Sequence, residues 1–226
     1  MRKSVVFSIL VILFSGAVHG QQVLTAADSA KYAAYWWHSK DMYDNLPVIK
    51  NSIVFLGNSI TDGGEWAEFF GNSKCINRGI SADVTEGILL RLSAITKLKP
   101  AKIFLLIGVN DISKDIPVDQ ITANYRQILT RIKSETPRTK VYVQSVLPVN
   151  PMTNPKIPHT SKTDKIIALN QNLKTLAAEF GYQYIDLFSV MADSNNYLPK
   201  KYSLDGLHLT YSGYKVWVDA IRPYVK

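Results

Sequence analysis

Residues 53–66 read I-V-F-L-G-N-S-I-T-D-G-G-E-W, a short apolar run that stops at a small polar turn. Positions 53–56 are apolar without alternation, which is typical of a parallel strand buried on both faces. Gly57 permits a turn that a Cβ would hinder, and Ser59 follows just past the carboxyl end of the strand, where open α/β sheets bind ligands. Ser59 is therefore a candidate nucleophile, although a serine that only caps a helix or forms a turn would have the same local sequence.

Beyond this stretch, strand-length and helix-length patterns alternate to the end of the chain. Apolar runs typical of strands recur at 74–77, 101–107, 140–146 and 182–186. Segments with helical spacing lie at 26–46, 82–98, 118–135, 163–180 and 212–225, and the first four stop near a proline or glycine. This alternation predicts an α/β fold with a five-stranded parallel sheet that is covered by helices on both faces.

The first twenty residues have the composition of a secretory signal peptide. Two basic residues precede an apolar run at 5–14, and small residues lead to a plausible cleavage site after Gly20. The apolar run is about half of the roughly 20 residues that a membrane-spanning helix needs. We therefore expect a signal peptide at 1–20, one domain at 21–226, a secreted or periplasmic protein and no membrane anchor.

Charge and cysteine content limit the classes of partner. The formal net charge is +8, and it falls to +6 (8 − 2) when Arg2 and Lys3 are removed with the signal peptide. The remaining lysines are scattered, so no basic tract indicates a nucleic-acid partner. Cys75 is the only cysteine and cannot form an internal disulfide. Its apolar context predicts a buried strand residue rather than a reactive thiol.

Asp205 and His208 stand three residues apart in D-G-L-H, just before the last predicted helix. One local turn can bring the carboxylate to Nδ1 of the imidazole, which leaves Nε2 facing outward as a general base. A pair with this spacing would also suit a metal site or a polar turn.

Two further polar positions follow predicted strands. Asn110 in G-V-N-D comes directly after the third strand, and a side-chain amide there can donate to a developing oxyanion. Gly79 in N-R-G-I follows the second strand and offers a backbone N–H that its own residue does not obstruct. Because the carboxyl ends of parallel strands share one edge, these groups are expected to lie near Ser59.

Four short blocks in this order resemble the SGNH, or GDSL-type, hydrolase family: G-N-S at Ser59, the glycine at Gly79, G-V-N-D at Asn110, and D-G-L-H at Asp205 and His208. The resemblance covers nearly all of the predicted mature chain. It implies a flavodoxin-like three-layer α/β/α sandwich, with Ser59 as nucleophile, His208 as base and Asp205 as its orienting acid. It also implies an oxyanion hole formed by the Ser59 backbone, Gly79 and Asn110, with no metal and no cofactor.

The run G-N-S-I-T-D-G-G-E-W and the closing D-G-L-H-L-T resemble the bacterial branch that is related to platelet-activating-factor acetylhydrolase subunits and carbohydrate acetylesterases. One position departs from the family: Asn58 stands where the aspartate before the nucleophile is usual. Asparagine keeps the shape and the hydrogen bonding of aspartate but loses its charge, so the support of this loop is expected to differ.

The resulting prediction is a secreted serine esterase that hydrolyses acetyl esters on carbohydrates through an acyl-Ser59 intermediate. The many aromatic residues and a long loop at 147–162 with four prolines favour a small ester or acetylated glycan as the substrate. Two alternatives stay open. One is a lysophospholipase- or thioesterase-type lipid acyl hydrolase, and the other is a catalytically silent glycan-binding protein on the same scaffold. The oligomeric state is not indicated.

Overall fold

The computed structural model describes residues 32–226. The predicted signal peptide, and positions 26–31 of the first predicted helix, lie outside this part of the chain. Five strands are present in it: β1 (Ile53–Gly57), β2 (Cys75–Gly79), β3 (Lys102–Leu106), β4 (Lys140–Gln144) and β5 (Gln183–Ile185). The helices are α1 (Ala34–Asn45), α2 (Ser59–Asp62), α3 (Trp66–Phe70), α4 (Thr85–Thr96), α5 (Val109–Ser113), α6 (Val118–Glu135), α7 (Thr163–Phe180), α8 (Leu187–Met191) and α9 (Tyr211–Val225), with a 3₁₀ turn at Lys200–Tyr202.

All neighbouring strands of the sheet are parallel, and their order is β2-β1-β3-β4-β5. This order and the helices on both faces confirm the predicted flavodoxin-like three-layer sandwich. In the register of the sheet, Gly57 at the end of β1 lies beside Gly79 of β2 and Leu106 of β3. The turns that follow these three strands therefore start from one edge, at the point where the strand order reverses.

One face of the sheet packs through stacked aromatic rings. Phe55, Phe104 and Tyr142 occupy matched positions on β1, β3 and β4, with ring centroids 5.1 and 4.5 Å apart. Trp66 of α3 stacks on Phe55 at 4.1 Å, and Trp217 of α9 meets Trp66 edge-on. Because these rings are large and rigid, they fix how α3 and α9 lie on the sheet, and α9 begins directly after the D-G-L-H segment.

The other face is covered by α4, α6 and α7, which contact one another in that order. Their buried side chains are mostly aliphatic, and they form one continuous core with the strands: Ile88, Leu92, Ile95, Ile128, Leu129, Ile132, Leu169, Leu173 and Leu176. Cys75 is buried in β2 as predicted, and burial raises the pKa of its thiol to about 11. Within the described part of the chain, no helix combines the length and apolarity that crossing a membrane requires.

The predicted bounds of several elements differ from those in the structure. The strand predicted at 140–146 ends at Gln144, because the backbone of Val146 bonds to the side chain of Asn170 and not to a neighbouring strand. Asn170 Oδ1 accepts from Val146 N at 2.8 Å, and Asn170 Nδ2 donates to Val146 O at 2.9 Å. The helix predicted at 82–98 is the shorter α4. The short helices α5 and α8 were not predicted, since five residues show no usable periodicity.

Candidate active site

Ser59 is the first residue of α2, directly after the tight turn that leaves β1. A Cβ at Gly57 would lie 2.2 Å from the carbonyl oxygen of Leu106, so only glycine allows β1 to run this close to β3 before it turns. Asn58 caps α2, because its Oδ1 accepts a hydrogen bond from Ile60 N at 3.1 Å. The asparagine thus keeps the capping function that an aspartate would have. Its Nδ2 is buried and has no hydrogen-bond partner in the described part of the chain.

The Asp205–His208 segment folds into a compact turn that is held together by the carboxylate. Oδ1 of Asp205 accepts from the backbone N–H groups of Leu207 and His208, at 2.9 and 2.8 Å. Oδ2 lies 2.7 Å from Nδ1 of His208. Burial alone would raise the pKa of Asp205, but the hydrogen bonds from the side chain and backbone of His208 and from Leu207 outweigh it and lower the pKa to about 2. Asp205 is therefore a carboxylate at neutral pH.

Gly206 is required inside this turn for two reasons. Its φ of 85° lies in the left-handed region, and a Cβ there would lie 2.4 Å from the carbonyl oxygen of Asn150. The Gly206 carbonyl also accepts from the Asn150 N–H at 2.9 Å. The turn is thereby pinned against the start of the proline-containing loop, which consists of residues 147–162.

His208 Nε2 lies 3.0 Å from Ser59 Oγ, although the two residues are 149 positions apart in the sequence. With a proton on Nδ1 donated to Asp205, Nε2 is free to accept the proton of the serine hydroxyl. The structure therefore brings together the three side chains that the sequence had selected. Hydroxyl, imidazole and carboxylate form one continuous line of hydrogen bonds, which can activate an oxygen nucleophile.

Asn110 lies in α5 and is almost fully buried. Its Nδ2 donates to the carbonyl oxygen of Asp83 at 2.8 Å, and its Oδ1 lies 2.9 Å from His159 Nε2. An amide nitrogen carries two hydrogens, so one N–H of Asn110 remains for another acceptor. The amide sits beside the turn that follows β2.

Gly79 differs from the expectation. Its N–H already donates to Oδ1 of Asn77 at 2.8 Å, so it is not the unobstructed donor that the sequence suggested. The glycine is instead needed for close packing, because a Cβ would lie 2.2 Å from the backbone nitrogen of Asp62 in α2. In the next turn, the N–H groups of Ser81 and Ala82 donate to no acceptor in the described part of the chain, and exposed Ala82 has a φ of 65°.

A buried ion pair holds this turn in place. Arg91 of α4 donates from Nε to Oδ2 of Asp83 at 2.8 Å, and both side chains are completely buried. The remaining nitrogens of Arg91 donate to the carbonyl oxygens of Gly57 and Arg78, at 3.0 and 2.9 Å. One guanidinium therefore ties together the ends of β1 and β2 and the turn beside Asn110. The second oxygen of the Asp83 carboxylate, Oδ1, accepts from Nε1 of Trp36 in α1 at 2.8 Å.

A second buried carboxylate joins the turn after β3 to the start of α4. Asp111 accepts from the Thr85 N–H through both oxygens, at 3.0 and 3.1 Å, and from the Thr85 hydroxyl. Burial raises the pKa of Asp111 to about 6, although the hydrogen bonds from Thr85 act in the opposite direction. Asp111 follows Asn110 directly, so this contact fixes the backbone that carries the amide.

Sequence reasoning missed three polar residues that support the site: Asp83, Arg91 and His159. A charged residue inside the apolar run I-L-L-R-L was a usable signal for Arg91, since an arginine with apolar neighbours on both sides is buried only when paired. His159 lies in the long loop at 147–162, but nothing in the local sequence connects it to Asn110. Within residues 32–226, no group of three or more His, Cys, Asp or Glu side chains is arranged to hold a metal ion.

The chain is similar to known proteins in both sequence and fold. The model of the GDSL-like lipase/acylhydrolase family matches residues 55–216. Platelet-activating factor acetylhydrolase IB subunit alpha2 of Rattus norvegicus is 25% identical over 168 residues, which are 72% of this chain and 70% of that subunit. A solved structure from Streptococcus pneumonia, named for platelet activating factor, is 30% identical with a TM-score of 0.76, and the match covers 85% of this chain and 91% of that one.

An acetyl-xylooligosaccharide esterase from Geobacillus is similar in fold alone. It is 16% identical, has a TM-score of 0.62, and the match covers 78% of this chain and 95% of that one.

Proposed function

Since the chain belongs to the GDSL-like lipase/acylhydrolase family and is an ester-hydrolysing enzyme, we propose that it is a secreted serine esterase that removes acetyl groups from carbohydrates through an acyl-Ser59 intermediate. The observation that carries the proposal is the continuous line from Ser59 through His208 to Asp205, with hydrogen bonds of 3.0 and 2.7 Å. A hydroxyl with an oriented base beside it is the minimum requirement for nucleophilic catalysis by serine.

The reaction proceeds in two halves. Ser59 Oγ attacks the ester carbonyl carbon while His208 Nε2 takes the hydroxyl proton, and Asp205 stabilises the imidazolium that forms. The tetrahedral intermediate collapses by breaking the bond to the alcohol oxygen, which receives the proton from His208. Water then attacks the acyl-Ser59 carbonyl with His208 again as base, so acetate leaves and the serine hydroxyl is restored.

Three N–H donors are assigned to the developing oxyanion. The first is the backbone N–H of Ser59, the first residue of its helix, which donates to no acceptor within residues 32–226. The second is the remaining Nδ2 hydrogen of Asn110. The third comes from the turn at Ser81 and Ala82, because the N–H of Gly79 is already bonded to Asn77. Donors of this kind contribute about 3 kcal/mol each when they are preorganised.

A carbohydrate substrate is supported by an exposed aromatic ring close to the nucleophile. Tyr35 of α1 is 52% exposed, and its hydroxyl donates to Oδ2 of Asp62, which lies three residues after Ser59 in α2. Ser81 donates to the same oxygen at 2.8 Å. An aromatic face beside a carboxylate and hydroxyl groups suits a sugar ring and its hydroxyls. The acetyl-xylooligosaccharide esterase with the same fold also supports an acetylated glycan.

Covalent labelling tests the nucleophile. A fluorophosphonate probe is expected to add one phosphonyl group per chain, and peptide mapping is expected to find it on Ser59. The Ser59→Ala variant should take up no label. A protein that hydrolyses esters but is labelled at another residue, or not at all, would contradict the mechanism. Absence of both labelling and hydrolysis would favour the silent glycan-binding alternative.

Two exposed apolar side chains favour lipid esters as the second candidate substrate class. Leu204 is 85% exposed beside Asp205, and Met152 is 73% exposed in the neighbouring loop. A series of p-nitrophenyl esters from acetate to dodecanoate separates the two classes. We expect kcat/KM to fall beyond acetate or propionate, with release of acetate from acetylated xylan. Activity that rises with chain length would favour the lipid acyl hydrolase.

The secreted or periplasmic location rests on the sequence of the first twenty residues. Expression of the full chain in a Gram-negative host, followed by fractionation and N-terminal sequencing, tests it. We expect the protein outside the cytoplasm with Gln21 as its first residue. Retention of Met1 on a cytoplasmic protein would contradict the location without affecting the mechanism.

A further inference from the structure

The side chain of Asn110 is held in one orientation from two opposite sides. Nδ2 donates to the Asp83 carbonyl at 2.8 Å, and Oδ1 lies 2.9 Å from His159 Nε2. An amide that is turned over exchanges a donor for an acceptor while keeping the same shape, so only its hydrogen bonds determine its orientation. The Asp83 carbonyl can only accept, so it requires Nδ2 on its side, and Oδ1 of Asn110 then faces His159. A donor at His159 Nε2 favours the same orientation, in which a free N–H of Asn110 is available.

The hydrogen bond also determines the tautomer of His159. Amide oxygens only accept, so Nε2 of His159 carries the proton and donates it to Asn110. Nδ1 is buried and has no hydrogen-bond partner in the described part of the chain. Burial lowers the pKa of His159, and the nearby His208 and Lys162 lower it further. The ring is thus a neutral imidazole whose single N–H is directed at Asn110.

The loop that carries His159 is anchored at both ends. At its start, Asn150 Nδ2 donates to the Leu198 carbonyl at 2.7 Å. At its end, Lys162 Nζ donates to the carbonyls of Ile112 and Ser113 in α5, at 3.1 and 3.0 Å. Because α5 also contains Asn110, the end of the loop and the amide are fixed to the same helix. The position of the imidazole relative to the amide is therefore set by the fold rather than by a mobile surface segment.

We propose that His159 is a positioning residue of the esterase reaction, whose Nε2–H holds the Asn110 amide so that its free N–H faces the oxyanion. The inference rests on the proposed function and extends it to the loop at 147–162. His159 does not itself act as a base, since Nε2 is already donating and Nδ1 is enclosed. The oxyanion forms only after the serine attacks and is absent from the bound ester, so losing this positioning lowers kcat and leaves KM nearly unchanged.

The first experiment compares steady-state kinetics of three variants on p-nitrophenyl acetate. Asn110→Ala is expected to lower kcat about 10²- to 10³-fold. His159→Phe keeps the ring shape but removes the donor, and we expect kcat to fall about 3- to 10-fold, the effect of one neutral hydrogen bond. His159→Gln retains an N–H donor and should recover part of this loss. His38→Phe, which changes an exposed histidine of α1, is the matched control and should leave kcat unchanged.

A double-mutant cycle distinguishes positioning from a general structural effect. In the Asn110→Ala background the amide is gone, so His159→Phe should cost less than about twofold further. An equal loss in both backgrounds, or an unchanged kcat in the single His159→Phe variant, would overturn the inference. If His159→Phe does not fold, His159→Ala is assayed with added imidazole. Recovery of kcat only when Asn110 is present supports the inference, and recovery in both backgrounds or in neither overturns it.

Failure of the inference and failure of the proposed function give different results. If only the inference is wrong, the phosphonate still labels Ser59 and Asn110→Ala still lowers kcat, while His159→Phe behaves like His38→Phe. If the proposed function is wrong, Ser59 is not labelled or Asn110→Ala hydrolyses the ester at the wild-type rate.

Discussion

The two sides of the candidate site are built in opposite ways. At the Asp205–His208 corner, the hydrogen bonds of the Asp205 carboxylate join residues two or three positions apart, and the side chains of Asp205 and His208 are 35% and 49% exposed. The other side of the site, around Asn110, is called the oxyanion side. It contains three completely buried charged side chains, those of Asp83, Arg91 and Asp111, and their contacts join α4 to the ends of three strands. The comparison indicates that the pair proposed for proton transfer is oriented mainly within its own turn, which Asn150 holds from outside. The oxyanion side is part of the core, so damage there is expected to affect folding as well as catalysis.

The largest expected effect is at the nucleophile. Ser59→Ala should lower kcat by about 10⁶, because only binding and oxyanion stabilisation remain. The hydroxyl bonds to His208 and to no other described residue, so the melting temperature should stay within about 2 °C of wild type. Steady-state kinetics and calorimetry measure the two quantities. Ser189→Ala, on α8, is the control for serine removal. Substantial residual hydrolysis by purified Ser59→Ala would contradict the assignment of the nucleophile.

Asp205→Asn tests the same corner with a smaller change. The amide can face Nδ1 with a donor, which favours the tautomer with the proton on Nε2 and prevents it from accepting the serine proton. We expect kcat to fall by about 10⁴. The Asn Oδ1 can still accept from the backbone of Leu207 and His208, so folding should be little affected. Asp193→Asn alters a carboxylate that accepts two backbone N–H groups in another loop, and it should keep full activity.

Arg91→Met tests the buried side. The variant leaves Asp83 as an unpaired buried carboxylate and frees the carbonyls of Gly57 and Arg78, so the free energy of unfolding should fall by about 3–5 kcal/mol. Arg126→Met breaks the exposed Arg126–Glu179 pair instead and should cost about 0–1 kcal/mol. Urea denaturation of both variants gives the difference. Equal stability of the two variants would show that the buried and exposed sides do not differ as described.

Asp111 gives the smallest expected effect, a dependence of stability on pH. Its pKa is about 6 in the folded protein, above the ordinary value of 3.8, so between these values the folded state binds more protons than the unfolded state. The contribution of Asp111 to stability is therefore complete below pH 4 and decreases as pH rises to 6. Relative to Asp111→Asn, wild type should lose about 2 kcal/mol across this range. Asp193→Asn should follow the wild-type curve, and parallel curves for wild type and Asp111→Asn would contradict the raised pKa.

Much of the fold could be predicted because the signals were local. The bounds of β1, α6 and α7 were predicted correctly, since an unbroken apolar run or regular helical spacing ends at a glycine or proline in each case. The end of β4 was predicted wrongly, because the side chain of Asn170 forms the hydrogen bonds at Val146 that a neighbouring strand would otherwise form. A side chain that bonds to the backbone 24 residues away does not change the hydrophobic pattern around that backbone, so the pattern cannot predict it.

In the candidate site, too, residues with a local sequence signal were predicted and residues that depend on distant contacts were not. The sequence selected Ser59, Asn110, Asp205 and His208, because each follows a strand or precedes a helix in a short block with a recognisable spacing. It also selected Gly79, whose N–H is bonded to Asn77 in the structure. That bond depends on how the turn after β2 is folded. His159 could not be assigned for a related reason, since its partner is 49 positions away.

By itself, the sequence selected the candidate residues for the chemistry and the edge of a parallel sheet at which they emerge. Hydrophobic periodicity fixes the strands, and strands joined by helical crossovers are parallel with aligned carboxyl ends. Only the tertiary structure decided which N–H groups are free and that the imidazole of His159 faces Asn110. Those outcomes depend on hydrogen bonds of about 3 Å between groups that are distant in the chain, and such bonds are set by packing rather than by local preference.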